Sequence, residues 1–332
     1  MVNFRQISNS SRCNLHDEVR MMHHLVKFIK IVFVILLIFF LLLFLIHSIL
    51  LRKEAYDLEE SYQKVQVKGK EMSFSSEGEG DHHLVFLSGS GTVSPILDFQ
   101  SLQKEIKGNK KTILEKFGYG FSSDTGEDRD VAIIVDEYRE ALKKASFSPP
   151  YILCPHSMSG IEALYWVLTY PEEIEAMIGL DMSLPEAYAK VDFSITQLRV
   201  LSFAARVGIT RILPKASESD AMLYGQLTEK EKNIYRALFY KRTLNSTMLH
   251  ELASIKDSAR KVEEMGYVEK PMLLFVSNGI GTGFSEEAWR KIQEKYAKKV
   301  GGKLVFLSCP HYVHDHAYKE IGEKINSFLQ DL

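Results

Sequence analysis

Cysteine is scarce in this chain: three residues among 332, at Cys13, Cys154 and Cys309. An odd set spread over the whole length forms no disulfide framework, and no two of them have metal-ligand spacing. Net charge is also close to absent, at −2. No basic, aromatic-laced stretch stands out, which removes the electrostatic case for nucleic-acid binding. A G-x-G-x-x-G opening a helix after a strand is missing, and with it the fingerprint of nicotinamide and flavin enzymes. Neither a metal nor an organic cofactor is implied. Internal repeats and low-complexity tracts are lacking as well. What is present, 45% hydrophobic and 25% charged residues, suits one large α/β domain with room for an insertion.

One hydrophobic run is long. From Ile31 through His47 and Ser48 to Leu51 no residue carries a formal charge. About 20 such residues, at 1.5 Å rise, span the roughly 30 Å hydrocarbon core of a bilayer. The run does not alternate polar and apolar faces as a surface helix would. A cleaved signal peptide is the rival reading, but its apolar region is about 7–15 residues and ends in small residues. Here Leu50-Leu51-Arg52-Lys53 offers no such site, so an uncleaved single-pass anchor in the lipid bilayer is expected. Arg5, Arg12, Arg20, Lys27 and Lys30 precede the run; Arg52, Lys53, Lys64, Lys68 and Lys70 follow it. This near balance leans only slightly towards a cytoplasmic N-terminus. The folded domain is then expected outside the cytoplasm.

The rest of the chain alternates strands with helices. An opening hairpin is predicted over Tyr62–Val67 and Glu71–Ser75. Further strands follow at His83–Leu87, Thr112–Lys116, Tyr151–Cys154, Ala176–Asp181, Pro271–Ser277 and Lys303–Ser308. Such alternation predicts a mostly parallel sheet covered on both faces. Between about Ser183 and Glu269 the pattern is helical only, with a capping box at Thr228-Glu229-Lys230-Glu231. The expected division is a tail over 1–30, an anchor over 31–51 and a linker over 52–61. A core over 62–182 and 270–332 then surrounds a helical insertion over 183–269.

The segment Tyr151-Ile152-Leu153-Cys154-Pro155-His156-Ser157-Met158-Ser159-Gly160 carries the most chemistry. A buried strand ends in small residues around one serine, and Ile161–Leu168 starts a helix at once. Turning that sharply strains the middle residue and exposes its hydroxyl above the sheet. The usual G-x-S-x-G is altered: Pro155 and Ser159 occupy the glycine positions, with Gly160 one place later. An ordinary strand-to-helix connection is the bland alternative. The order of the surrounding motifs argues otherwise.

This segment resembles the nucleophile elbow of the α/β-hydrolase family, and the likeness extends over roughly residues 60–332. Leu84–Gly91 is similar to the oxyanion strand and loop, with Ser88 in place of the usual histidine. Ile113–Ser122 resembles the strand and "GyGxS" loop that follow. Leu304–His314 resembles the last strand and the histidine loop. The resemblance implies an α/β-hydrolase fold, a helical cap and a Ser–His–acid mechanism acting on a small-molecule acyl substrate.

By that resemblance Ser157 is the nucleophile and His311 the base, with His314 and His316 as register alternatives that otherwise read as surface histidines. His156 is expected to shape the turn, and His82 and His83 to be structural. The acid departs from the family pattern. No carboxylate follows the seventh strand, where Ser277-Asn278-Gly279 stands, so Asp181 at the end of the sixth is the first candidate. Asn278 is the second, and Glu286 or Glu287 come after it as first-turn helix residues behind an N-cap at Ser285. Oxyanion donors are expected from the N–H of Met158 and from Ser90 or Gly91. Cleavage of an ester, less readily an amide, is the implied reaction. Two rivals stand beside it. An aminopeptidase of the proline iminopeptidase kind would need a cap acid such as Glu218, Asp220 or Glu251, each of which otherwise reads as a solvated face. A non-catalytic binding protein on the same fold is the other.

Overall fold

A computed structural model describes the backbone of residues 4–57 and 62–332, and the side chains of residues 20–55 and 62–332. Eight strands form one sheet: β1 (Gln63–Val67), β2 (Lys70–Glu77), β3 (His83–Leu87), β4 (Lys110–Glu115), β5 (Tyr151–Pro155), β6 (Ile174–Leu180), β7 (Met272–Val276) and β8 (Lys303–Phe306). Their spatial order is β1-β2-β4-β3-β5-β6-β7-β8. The pairings β1–β2 and β2–β4 are antiparallel, and every later pairing is parallel. Each predicted strand is present, with ends displaced by at most a few residues.

Near-continuous apolar runs form the inner strands β3, β5, β6 and β7 because both faces are covered there. Along β3, Val85 and Leu87 enter one core while Leu84 and Phe86 enter the other. Strand β7 divides the same way, with Leu274 and Val276 on one side and Leu273 and Phe275 on the other. Helices Val131–Lys144, Ser159–Thr169 and Glu286–Val300 cover the first face through Tyr138, Trp166 and Trp289. The second face is covered from Gln100–Glu105 and Tyr318–Gln330 through Leu102, Ile321 and Ile325. Each such side chain contributes about 1.5–3 kcal/mol when fully buried.

Between β6 and β7 the chain is helical among the described residues, from Pro185–Lys190 to Ser246–Met265. The capping box forms: Thr228 Oγ1 accepts from Glu231 N at 3.3 Å, and Thr228 N donates to Glu231 Oε2 at 2.7 Å. The N-terminal region differs from expectation. A single helix runs from Phe4 to Asp57. The predicted tail is therefore helical from Phe4 onward, and the predicted linker is helical as far as Asp57. Residues 58–61 of that linker lie outside the described residues, as do the side chains of Arg5, Arg12 and Cys13.

Candidate active site

Parallel strands in an open α/β sheet present their carboxyl ends to one crevice, where ligands bind. Four predicted site residues lie at such ends: Ser90 after β3, Ser157 after β5, Asp181 after β6 and His311 after β8. Ser157 has φ +54°, in the left-handed region that non-glycine residues rarely adopt. Its neighbours hold it there. Ser157 O accepts from Ser183 N at 2.7 Å and from Gly160 N at 2.9 Å.

The altered elbow has a physical explanation. Ser159 is fully buried, and its hydroxyl lies 2.7 Å from Leu87 O and 3.0 Å from His156 N, tying the turn to β3. Gly160 is the position that admits nothing larger, since a Cβ there would come within 2.3 Å of Ser183 O. His156 N donates to Leu87 of β3, so the N–H that Pro155 lacks would have faced β6. The β5–β6 pairing lapses there. It stops at Leu153 with Met177 and resumes at His156 with Leu180.

Ser157, His311 and Asp181 are brought into one hydrogen-bonded line. Ser157 Oγ is 2.7 Å from His311 Nε2, and His311 Nδ1 is 2.5 Å from Asp181 Oδ2. Asp181 is fully buried at the end of β6 with φ +49°. Its other oxygen accepts from Ser277 N and from Trp289 Nε1, each at 2.7 Å. Trp289 was not picked out from the sequence. Its place early in an amphipathic helix after β7 was the only available signal.

The remaining candidates fall elsewhere. Asn278 turns its Oδ1 into its own loop, accepting from Ile280 N at 3.1 Å. Glu286 pairs with Arg290 one helical turn on, behind the Ser285 N-cap. His314 is corrected from a surface residue to a buried one, packed 4.6 Å from the Phe99 ring. Burial, then His311 and His316, depress its pKa to about 3. His316 is half-buried and bonds Asp220 Oδ2 at 3.1 Å. Beneath the site, His156 Nε2 lies 3.1 Å from His311 O. Burial, followed by His314 and His311, holds His156 well below the usual histidine range, so it is neutral. His83 Nε2 bonds Thr112 Oγ1 at 2.8 Å, and His82 sits 3.0 Å from Glu175; both are remote from Ser157. Cys154 packs in β5. The Cys309 thiol is pushed up to about 11 by burial and then by Asp181 and Glu320, so it stays protonated and is no rival nucleophile.

A cavity of about 170 Å³ opens over Ser157 and His311, with Met158 and Ser90 in its wall. Its far side is apolar: Ala187, Val191, Phe193, Leu252 and Phe284. Met158 is also the N-cap of helix Ser159–Thr169, whose positive end faces a developing anion favourably. None of the predicted cap acids lines this cavity. Glu251 is corrected from a solvated face to a buried partner of Lys116, which also bonds Glu162 Oε1 at 2.6 Å. Tyr119 OH donates to Glu251 and Tyr138 OH to Glu162, completing a buried network between core and cap. Burial pushes the Glu162 carboxyl up to about 7, with Lys116 opposing. Glu218 is exposed, and Asp220 is held by His316. Among the described residues no group of three metal-ligating side chains is placed to hold an ion.

No family model matches the chain. A curated relative does: the uncharacterized protein YbdG of Bacillus subtilis is 38% identical over 258 residues, 75% of this chain and 79% of that one. This chain belongs to the YbdG family. Its fold is that of the α/β-hydrolases. A haloalkane dehalogenase from Bradyrhizobium elkanii superposes with a TM-score of 0.59 at 18% identity, covering 82% of this chain and 96% of the other. An epoxide hydrolase from Vigna radiata gives 0.60 at 17%, over 82% and 98%. The carbazole-degradation serine hydrolase gives 0.58 at 13%, over 82% and 99%. At these identities the likeness speaks to the fold alone, and the chemistry rests on the side chains.

Proposed function

We propose that this protein is a membrane-anchored serine hydrolase that cleaves carboxylic esters through an acyl-enzyme. The observation that carries the reading is the line Ser157 Oγ–His311–Asp181, with gaps of 2.7 and 2.5 Å, at a strained turn beneath a cavity. In the proposed reaction Ser157 Oγ attacks the ester carbonyl as His311 Nε2 takes its proton. Asp181 holds the imidazole tautomer and stabilises the imidazolium. The amide groups of Met158 and Ser90 are the proposed donors to the oxyanion. His311 then returns the proton to the leaving alcohol, and a water deprotonated by the same nitrogen releases the acid.

Apolar walls favour an acyl chain over a charged substrate. The aminopeptidase reading loses its support because Glu251 is already neutralised by Lys116. A purely binding role leaves the assembled line of three side chains without a purpose.

The helix Phe4–Asp57 is proposed to remain on the protein and cross the membrane once, with the hydrolase domain outside the cytoplasm. It is long and apolar enough, and its last turns are bonded to the cap. Arg211 donates to Glu54 Oε1 and Oε2 at 2.8 and 2.7 Å, a pairing that cleavage would abolish. Fluorophosphonate labelling of the detergent-solubilised full chain tests the nucleophile. Label is expected on Ser157 and absent from Ser157→Ala; label that persists in the variant refutes the assignment. Membrane fractionation with N-terminal sequencing tests the anchor, which a soluble product beginning beyond Leu51 would refute.

A further inference from the structure

The cap segment Ile195–Lys215 has its apolar side on the outside. In helix Ile195–Arg206 the small residues Ser202 and Ala205 face the protein, while Val200, Leu201 and Phe203 are 63, 56 and 66% exposed. Ile212 and Leu213 continue this exposure at 55 and 52%. Bulky apolar side chains outward and small ones inward reverse the arrangement a water-facing helix adopts. The same segment carries Arg199, Arg206, Arg211 and Lys215 and has no acidic residue, in a chain whose net charge is −2. At 100° per residue Arg199 and Arg206 lie together along the Phe203 edge of the apolar strip, where their stems can lie on it and their heads reach past it.

This surface adjoins the N-terminal helix at a definite height. Leu43 and His47 are buried against the cap. Gly208, at φ +87°, lies so close that a Cβ there would come within 2.7 Å of His47 Cβ. Arg211 Nε bonds His47 Nδ1 at 2.8 Å, and its guanidinium lies 3.9 Å over the Tyr240 ring. His47 and Leu43 precede Leu51, the end of the apolar run, by four and eight residues. At 1.5 Å per residue the Gly208 turn sits about 6–12 Å below that end. Interfacial amphipathic helices bury to about 5–10 Å, at the headgroup–acyl boundary.

We propose that segment Ile195–Lys215 seats the cap in the headgroup region of an anionic membrane, so that the cavity over Ser157 receives acyl esters carried by the bilayer. The proposal rests on the anchored-hydrolase reading above and names its substrate class. Val191 and Phe193 line the cavity, and helix Ile195–Arg206 begins two residues later, so the wall of the cavity runs directly into the lipid-facing strip. Arg199 and Arg206 supply the attraction to anionic headgroups, each worth about fivefold in local affinity.

Phe203→Trp in the full chain, reconstituted in vesicles of equal parts phosphatidylcholine and phosphatidylglycerol with brominated acyl chains, reads the seating. Native Trp166 and Trp289 are fully buried, and because Trp289 borders the cavity the signal is read as the difference from the parent chain in the same vesicles. Strong quenching of the Phe203→Trp signal is expected, weaker when phosphatidylglycerol is left out. Phe40→Trp, in the middle of the apolar run, separates the two readings. If it is quenched and Phe203→Trp is not, the seating is wrong and the anchor stands; if neither is quenched, the anchor itself fails. A Leu201→Glu/Phe203→Glu variant reads the substrate class. Turnover of a short water-soluble ester is expected to hold, while turnover of a long-chain glycerol ester in the same vesicles falls about tenfold or more. Equal effects on both esters overturn the bilayer substrate.

Discussion

Trp289 donates its indole N–H to Asp181 Oδ1 at 2.7 Å, which leaves Oδ2 alone to meet His311. The two residues are 108 positions apart. With Ser277 N on the same oxygen, two donors hold Oδ1 and fix how the carboxylate is turned. A carboxylate ending β6 can therefore do from there what the loop after β7, with Asn278, does not.

Asp181→Asn should preserve the fold, because an amide oxygen can still accept from Trp289 and Ser277. It should cost about 10⁴ in turnover, since the imidazolium loses its counter-charge and the tautomer is no longer enforced. Asn278→Ala removes only a loop hydrogen bond to Ile280, and its turnover should stay within about threefold of the parent. Steady-state kinetics on any ester the parent cleaves will decide. Near-parental turnover in Asp181→Asn would reject the β6 acid.

How much of this could be read from the sequence divides along physical lines. Strands β3, β5, β6 and β7 were legible because both faces of the sheet are covered there, which makes each a near-unbroken apolar run. Ser157 was legible because a strand, small residues and a helix meet within ten positions. The acid was ranked as Asp181, then Asn278, then Glu286 or Glu287, but not fixed, because no local pattern records a contact 130 residues away. Lys116 and Glu162 were missed, and Glu251 was read as solvated, for a related reason. A charged residue reads as solvated until its partner is seen, and these partners are up to 135 positions apart. His314 sits in a short helix after a loop, a span with no periodicity to mark which side is inward. The helix over residues 4–30 was read as a tail because its polar stretch lacks an apolar stripe.

Gly89→Ala should strike activity harder than stability. A Cβ at Gly89 would lie 2.5 Å from Ser157 Cβ and 3.1 Å from its Oγ, so the Ser157 side chain must move. Misplacement of a reacting atom by about 1 Å costs on the order of 10² in rate. Gly91→Ala is the internal comparison. It has open space around it but φ +81°, so its cost should be a modest loss of stability of about 1 kcal/mol. Measuring kcat and urea midpoints for both variants distinguishes the two mechanisms. Equal kcat values would remove the argument for a tight Ser157–Gly89 contact.

Alkaline pH should destabilise this protein earlier than a typical domain of its size. The Asp98 carboxyl is pushed up to about 8, first by burial and then by Asp220 and Glu115, against an opposing hydrogen bond from Tyr235. Asp315 is raised well above the usual range by burial and by Asp98. Each keeps in the folded state a proton that the unfolded chain has released, so stability falls as pH rises towards the folded value. Buried histidines act in the opposite sense. His83, depressed to about 4, and His314, depressed to about 3, stay neutral when folded, so their contribution is lost as pH falls below about 6.5. Below that point the two groups oppose each other, and above it only the carboxyls act. The melting temperature of the full chain in detergent should therefore peak near neutrality and decline between about pH 7 and 9, with each carboxyl contributing at most about 1.4 kcal/mol per pH unit. Asp98→Asn removes one of these protons and should flatten the decline. An unchanged slope in that variant would show that Asp98 is ionised in the folded protein at neutral pH.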